Sequence, residues 1–401
     1  MEREELTGWL RLVSTPGIGD VTARRLLAAF GLPADVLAQP AARLREVATA
    51  AQVQALGRMP EALPALVERT LGWLAQEEAG GVVHRLVTLG DIGYPAALLE
   101  MADPPLMLHL IGPATLDLTQ LGRSVAMVGS RNPTPQGEDN ARAFARAFGE
   151  RGIAVISGLA LGVDGAAHQG ALDADADATG ARAGDVPPGW PVTVAVVGTG
   201  LDRVYPARHR DLAHRIARRG LIVSEFPLGT PPLHPNFPKR NRIIAGLSRG
   251  TLVVEAALQS GSLITARLAV EQGREVFAIP GSIHAPQSRG CHALIRQGAK
   301  LVESVQDVLE ELPLDDAPPG APGAPGAPGA PRSSPDAAGS VAAPPESALL
   351  RLLGFDAISL DALCARSGWS AAQLQAQLLE LELDGLVARL PGGLFQRRAC
   401  A

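Results

Sequence analysis

The sequence predicts an α/β fold with a doubly wound, mostly parallel sheet, and three observations point to it. Between about residues 122 and 310, six short apolar runs alternate with segments of helical period. The runs are continuously apolar, which is typical of parallel strands covered by helices on both faces. Each run ends in small residues, as expected at the strand ends where such sheets bind ligands.

The predicted elements follow one another in strict alternation. The strand-like runs are SVAMVGS, IAVISG, VTVAVVGTG, LIVSEFP, TLVVEAA and EVFAIPG. The helical segments that follow them are GEDNARAFARAFGERG, DGAAHQGAL, YPARHRDLAHRIARRG, FPKRNRIIAGLS, SLITARLAVEQGR and CHALIRQGA. Residues 171–191 interrupt the rhythm with acidic, Pro/Gly-rich sequence, which we interpret as a surface insertion.

Composition divides the chain into four parts. Residues 1–75 are rich in alanine and leucine and are predicted to form a small all-α domain, followed by the α/β domain over 80–312. Residues 313–345 contain an Ala-Pro-Gly repeat with little apolar bulk, which is typical of a linker. Residues 346–401 predict three helices and a two-stranded hairpin around a Pro-Gly-Gly turn.

Cysteine usage and hydropathy bear on the compartment. Cys291, Cys364 and Cys400 are too few and too scattered for a disulfide framework or a zinc cluster, which favours a reducing compartment. No run approaches the ~18 apolar residues that span a bilayer, and the acidic N-terminus does not resemble a signal peptide. We therefore expect a cytoplasmic protein that makes no membrane contact and has no metal or cofactor.

The first strand end predicts an anion site. The residues that follow this strand are Gly129, Ser130 and Arg131. Thr134 then begins a helix, whose free backbone amides favour an anion, and Arg131 adds a fork of donors suited to phosphate. The alternative is a surface arginine paired with Glu138 or Asp139.

A second cationic cluster lies in NFPKRNRIIAGLS, residues 236–248. It contains Lys239, Arg240 and Arg242 at the start of a helix, with Phe237 beside them. Three cations and an aromatic ring at one mouth suit an extended polyanion with bases to stack, rather than one small phosphate. The alternative for Phe237 is a buried anchor of the core.

The sequence supports a catalytic or nucleotide-binding site less well than a polyanion-binding groove. GSRNPT at 129–134 is not G-x-G-x-x-G, and the sequence contains no P-loop, no H-E-x-x-H and no G-x-S-x-G. His168 stands four residues after Asp164 on one predicted helix, where a structural hydrogen bond is favoured over catalysis. We expect no catalytic residue and no enzymatic activity.

Beyond these single motifs, the sequence resembles the DprA/Smf family of DNA-processing proteins. The resemblance is carried in family order, from about residue 95 to 305, by six stretches. They are VAMVGSRNPTPQG, VISGLALGVDGAAHQGAL, VVGTGLDRVYPARH, LIVSEFPLG, FPKRNRIIAGLSRGTLVVEAALQSGSLITARLAVEQGREVFAIPGS and GCHALIRQGAKLV. So many ordered matches make the resemblance highly specific.

The resemblance implies an extended Rossmann-like core that forms a homodimer and binds single-stranded DNA without catalysis. It further implies that the protein protects incoming DNA and loads the RecA recombinase during natural transformation. The residues that it places at DNA are Gly129, Ser130, Arg131, Phe237, Lys239, Arg240, Asn241, Arg242, Ser260, Gly261 and Thr265.

Two positions depart from the family pattern. Leu161 stands where relatives often carry a basic residue, and His292 stands where asparagine is expected. The resemblance therefore does not extend to the phosphate contact expected at 161 or to the local hydrogen bond expected at 292. The motifs that contain Arg131 and Arg240 match the family pattern.

The flanking segments resemble small domains. One of them is a helix-hairpin-helix of a SAM-like domain, which residues 12–31, LVSTPGIGDVTARRLLAAFG, resemble. The glycine turn of such a hairpin offers backbone amides to a DNA phosphate. The alternatives are a purely structural role and a role in binding a partner. The segment after the linker resembles a winged helix. Its third helix, SAAQLQAQLLELELDG, carries no Arg or Lys, which disfavours major-groove binding and makes a protein-binding role at least as well supported.

A rival function comes from another class, the nucleotide phosphoribohydrolases of the lysine-decarboxylase-like type, which share a Rossmann-like core. These enzymes are expected to carry P-G-G-x-G-T. The similar spot here is IPGSIH at 279–284, and the motif is absent from it.

Overall fold

The computed structural model describes residues 1–78, 80–177, 190–312, 348–353 and 357–398. The predicted linker at 313–345 lies outside these residues. Across the described ranges, no helix combines the length and the apolarity that crossing a bilayer would require.

Six helices form the N-terminal part of the chain. They are α1 (Arg3–Ser14), α2 (Asp20–Phe30), α3 (Pro33–Ala38), α4 (Ala41–Leu44), α5 (Ala50–Leu56) and α6 (Leu63–Leu74). Helices α1 and α2 form the predicted hairpin, in which Gly17 adopts a left-handed φ of 81° and Ile18 is buried. Trp9 and Leu26 bring the buried faces of the two helices into one core cluster.

The central domain is built on ten strands. They are β1 (Glu77–Glu78), β2 (Val82–Thr88), β3 (Met107–Pro113), β4 (Ser124–Val128), β5 (Ala154–Ser157), β6 (Thr193–Val196), β7 (Leu221–Ser224), β8 (Gly250–Val253), β9 (Glu275–Ala278) and β10 (Lys300–Leu301). Its helices are α7 (Ala96–Leu99), α8 (Pro135–Gly149), α9 (Val163–Asp177), α10 (Arg210–Arg219), α11 (Asn236–Leu247), α12 (Ser262–Glu271), α13 (Arg289–Arg296) and α14 (Val305–Glu311).

The strand order is β1-β2-β3-β7-β6-β5-β4-β8-β9-β10. The six predicted strands, β4 to β9, lie next to one another and are all parallel, which confirms the doubly wound class. The chain builds outward from β4 to β7 and then returns to place β8 on the other side of β4. The topological switch point, where such sheets bind ligands, therefore lies between β4 and β8.

Helix α9 corrects the prediction of an insertion at 171–191. The helix runs to Asp177, so the first seven residues of the predicted insertion, 171–177, are helical. For these residues the prediction was wrong. Ala171, Leu172 and Ala174 are buried, because the helix packs so closely on α8 that a Cβ at Gly149 would lie 2.8 Å from the Ala174 methyl group. Residues 178–189 lie outside the described part of the chain.

The C-terminal domain is a winged helix. Its elements are α15 (Ala348–Leu353), β11 (Ile358–Ser359), α16 (Leu360–Ser367), α17 (Ala371–Leu383), β12 (Val387–Leu390) and β13 (Leu394–Arg397). The predicted hairpin is confirmed, with left-handed φ values of 84° at Gly392 and 73° at Gly393. A third strand, β11, which the sequence did not predict, pairs with β13.

Candidate nucleic-acid interface

A groove opens at the carboxyl edge of the sheet, at the switch point. It consists of two adjoining cavities of about 250 and 70 Å³. Both cavities are lined by Arg131, Ala160, Phe237 and Arg240, and we call the two together the switch-point groove. Loops after β4 and β5 form one wall, and the first turns of α11 and α12 form the other.

The structure brings most of the predicted residues into this groove. Those that line it are Gly129, Arg131, Phe237, Arg240, Asn241, Ser260, Gly261 and Thr265. Ser130, Lys239 and Arg242 are not among the lining residues of either cavity. The Ser130 hydroxyl instead accepts a hydrogen bond from the Asn132 amide, at 3.1 Å, within the turn after β4.

Arg131 is exposed and makes no hydrogen bond or ion pair with any residue that the structure describes. Its guanidinium carbon lies 5.6 Å from the centroid of the Phe237 ring, within the range of a cation–π contact. The alternative pairing with Glu138 or Asp139 is not formed; Asp139 is bound by Arg398 of the winged helix. The Arg131 donors are therefore available to a ligand in the groove.

Tyr205 extends the aromatic surface beside Arg131. Its ring centroid lies 5.8 Å from that of Phe237, the two planes are inclined by 35°, and the side chain is 47% exposed. Phe237 is half-buried, with one edge over Gly198, where a Cβ would come within 3.2 Å of the ring. Sequence reasoning missed Tyr205; the available signal was an aromatic residue soon after a predicted strand end in a chain with only 3% aromatics.

Arg240 forms the floor of the groove. Only 5% of it is exposed, and its Nη1 donates to the Gly158 and Val196 carbonyl oxygens. Burial lowers the pKa of Arg240 to about 10, against the opposing effect of Asp164. Gly158 is required here, since a Cβ would lie 2.0 Å from the guanidinium. The side chain is thus held by the protein before any ligand arrives.

Asp164 supplies the countercharge for Arg240. Asp164 is 8% exposed, and its carboxylate accepts hydrogen bonds from the amides of Gly158 and Ala160, at 3.1 and 3.2 Å. Burial raises the pKa of Asp164, and Arg240 and the two amides act in the opposite direction. Arg240 and Asp164 are thus two buried opposite charges that influence each other without a direct ion pair, whereas Arg131 is an exposed cation with no acidic partner among the described residues.

Lys239 and Arg242 are neutralised elsewhere. Arg242 is buried, forms an ion pair with Glu225 and donates to the Asp103 carbonyl at 2.7 Å. The Lys239 ammonium lies 2.7 Å from the Asp20 carboxylate of α2. We expected all three cations of α11 at the mouth of the groove, but of the three only Arg240 lines it. An α-helix turns by about 100° per residue, so neighbouring side chains point in different directions around α11. DNA contact by Lys239 or Arg242 stays a prediction.

The start of α8 does not offer the free anion site that the sequence predicts. Glu255 fills it: its carboxylate accepts from the Thr134 amide at 3.0 Å and from the Thr134 hydroxyl at 2.6 Å. A Cβ at Gly137 would lie 2.4 Å from the Glu255 carboxyl carbon, so the fit is close. Burial raises the pKa of Glu255. The expectation of open amides was therefore wrong.

His168, the histidine that the sequence singles out, has a structural partner. His168 is fully buried, with Nδ1 2.7 Å from the Thr193 hydroxyl, and burial, then His209 and Arg240, lowers its pKa to about 3. The hydrogen bond expected for it is made to Thr193 rather than Asp164. Among the described residues, no group of three potential metal ligands comes together.

The two departures from the family pattern also have defined positions. His292 Nε2 lies 3.0 Å from the Gly281 carbonyl oxygen, so this histidine makes a local hydrogen bond. Leu161 is 37% exposed and lines the smaller cavity, where it brings an apolar surface in place of a cation.

Fold and groove together define a Rossmann-like protein with an appended winged helix. Comparison with known families matches residues 85–313 to DNA recombination-mediator protein A and residues 328–393 to the DprA winged helix domain. The chain belongs to the DNA recombination-mediator protein A family, the DprA/Smf proteins.

Three relatives illustrate the match. The chain is 43% identical to Protein Smf of Escherichia coli over 343 residues, which are 83% of this chain and 82% of the relative. It is 46% identical to DNA processing protein DprA of Streptococcus pneumoniae over 221 residues, 55% of this chain and 72% of the relative. The X-ray structure of Streptococcus pneumoniae DprA aligns with a TM-score of 0.61 at 34% identity, covering 78% of this chain and 98% of that one.

Proposed function

We propose that the chain binds single-stranded DNA along the switch-point groove. Arg131 contacts a backbone phosphate, and Phe237 and Tyr205 lie against bases. The observation that carries this proposal is the Arg131 guanidinium, exposed and unpaired within the described residues, beside two aromatic rings at the mouth of an open groove. Alternation of a cation with stacking faces is typical of single-strand binding sites.

The aromatic rings favour a single strand over a duplex. Stacking on Phe237 and Tyr205 requires a base with a free face, and the bases of a duplex are covered by their neighbours. A phosphate contact alone would serve both forms equally. We expect a labelled single strand of ~20 nucleotides to be displaced by unlabelled single strand far more readily than by duplex of the same sequence, measured by fluorescence anisotropy.

Residues 1–314 are expected to retain single-strand binding without the winged helix. All the residues that line the groove precede position 314, so truncation there removes none of them. The measurement is the dissociation constant of the fragment and of the full chain for the same strand. Loss of binding by a fragment that still melts cooperatively would contradict the placement of the site.

We propose that the bound strand is then delivered to RecA, in the cytoplasm, during natural transformation. Membership of the DNA recombination-mediator family supports this role, and a homodimer through the Rossmann-like core would present two grooves to one strand. The test is the lag of RecA filament growth on a labelled strand, which the chain shortens and the Arg131→Ala variant does not. An equal lag with and without the chain would contradict it.

We also propose that the protein acts without catalysis. The Asp164 carboxylate, which lines the groove, and the Glu255 carboxylate, at the start of α8, both accept from backbone amides, so neither is presented as a free base. Incubation with nucleoside monophosphates, the substrates of the rival phosphoribohydrolase function, is expected to release no base. DNA cleavage or base release that disappears in Glu255→Gln, with Arg142→Ala as the matched control, would overturn this part of the proposal.

A further inference from the structure

Helix α17 of the winged helix is apolar on two faces, and only one of them is covered. Leu374, Leu378 and Leu381 pack into the core of the domain. The other face carries what we call the α17 stripe. Its members are Ala372, Ala376, Leu379 and Leu383, all exposed. Leu379 is 58% exposed and Leu383 81%, and a repeated exposure of large apolar side chains on one helix face marks an interaction surface.

The chemistry of the helix does not suit nucleic acid. A recognition helix in the major groove approaches two phosphate backbones and needs donors or cations. The residues of α17 include no Arg or Lys, whereas Glu380 and Glu382 lie in its last turns and Asp384 follows it. A polypeptide with apolar side chains is the better occupant of the stripe.

The spacing of the stripe is the same from either end. Its members follow one another at intervals of four, three and four residues, which is the a/d spacing of a heptad. Two copies of α17 laid antiparallel about a two-fold axis therefore fall into register. Ala372 then faces Leu383 of the second copy, and Ala376 faces its Leu379.

This register matches the side chains in size. Each small residue meets a large one, so the seam fills evenly, as close packing requires. A parallel arrangement would instead put alanine on alanine at one end of the seam and leucine on leucine at the other. The stripe is thus complementary to itself only in the antiparallel sense.

The register also matches the flanking polar groups. It brings Glu380 to the level of Gln375 of the second copy and Glu382 to the level of its Gln373. Carboxylates therefore face amide donors rather than one another. The acidic end of each helix also lies beside the N-terminal end of the other, where the helix dipole favours negative charge.

From these observations we propose that the α17 stripe is a docking surface for a second copy of the same chain, paired antiparallel through an isologous contact. This contact is separate from the homodimer proposed above through the Rossmann-like core and does not depend on the switch-point groove. Thirteen helical residues bury less surface than a standard interface, so the contact is weak between free chains and strengthens when the copies are held close together.

The test is disulfide cross-linking between two full-length variants, Ala372→Cys and Leu383→Cys, in a background with Cys364→Ser and Cys400→Ser. One variant carries a tag that changes its mass. Oxidation of the mixture is expected to give at least about tenfold more two-chain product of mixed mass than either variant gives alone. In the antiparallel register two Leu383 positions lie 11 residues apart along the axis, about 16 Å and beyond disulfide reach.

A matched pair of charge variants separates the stripe from the helix surface in general. Leu379→Glu, added to both cross-linking variants, is expected to abolish the mixed product, whereas Gln377→Glu, at an exposed position of α17 away from the stripe, leaves it unchanged. Melting temperatures confirm that both charge variants remain folded. Absence of the mixed product, equal cross-linking by Leu383→Cys alone, or insensitivity to Leu379→Glu would each overturn the proposal. Single-strand affinity of the Leu379→Glu variant reports on the groove independently.

Discussion

Substitution of Arg131 by alanine is expected to weaken single-strand binding about tenfold or more and to reduce its dependence on salt. A charge-assisted hydrogen bond contributes about 1.5–3 kcal/mol, and within the described structure this guanidinium has no acidic partner. The plot of log affinity against log salt for single strands should lose about 0.7 of a unit of slope for the one phosphate that is no longer neutralised. Titrations at several salt concentrations measure both effects.

Arg131→Lys should recover part of the affinity and most of the lost slope. An ammonium restores the charge but not the planar fork, and it stacks less well over the Phe237 ring. The effect should be similar for strands of different sequence, because phosphate contacts position the strand without reading its bases.

The control for Arg131 is Arg142→Ala. Arg142 is also an exposed arginine, but it lies on α8 and lines neither cavity of the groove. Its removal tests whether any nearby positive charge would serve. Wild-type affinity and slope in Arg131→Ala, or equal losses in the two variants, would show that Arg131 does not hold the strand.

The strands and helices of the sheet could be predicted because their signals are local. Short, continuous apolar runs such as β5 and β6, bounded by turn residues, favour strands covered on both faces, and the small residues that end them locate the groove. Strand β3 was not predicted, because its short apolar run lies before the strand–helix alternation that begins near residue 122. Its run MLHLIGP includes His109, which is fully buried, and it extends the sheet by antiparallel pairing with β2 and β7.

The details of the site depended on contacts between distant parts of the chain. Glu255, which fills the start of α8, is 121 residues from Thr134, and no local pattern indicates that the two meet. Lys239 is paired with Asp20 of another domain for the same reason. Cations that are adjacent in sequence are therefore weak evidence for a cationic cluster in space. A helix points them in different directions, and acidic residues from distant parts of the chain neutralise some of them.

Arg240 tests this distinction between a cation that binds DNA and one that holds the groove together. Arg240→Met is expected to lower the free energy of unfolding by about 3–5 kcal/mol at neutral pH, because the Gly158 and Val196 carbonyls lose their donor and the buried Asp164 loses a nearby positive charge. Arg131→Ala, at an exposed position, should change the free energy of unfolding little. Urea denaturation of the variants and the wild type measures the difference.

The loss in Arg240→Met should depend on pH, with a sign that Asp164 determines. Burial already raises the pKa of this carboxyl above its ordinary value of 3.8 in the folded state, and removal of Arg240 raises it further. The ionised carboxylate therefore costs the most folding free energy at neutral pH, and the cost falls as the pH drops through the raised folded pKa toward 3.8. Denaturation at pH 7 and near pH 4.5 should show the smaller loss at the lower pH.

Adding Asp164→Asn to Arg240→Met should recover much of the stability at pH 7, because the double variant buries no charge and the side-chain oxygen of the new asparagine can still accept from the Gly158 and Ala160 amides. Its affinity for single strands then isolates the part of binding that Arg240 contributes directly. Near wild-type binding would assign Arg240 to the architecture of the groove. A stable double variant that still binds at least about tenfold more weakly would show that Arg240 contacts the strand. A pH-independent loss in the single variant would mean that Asp164 is not the partner of Arg240.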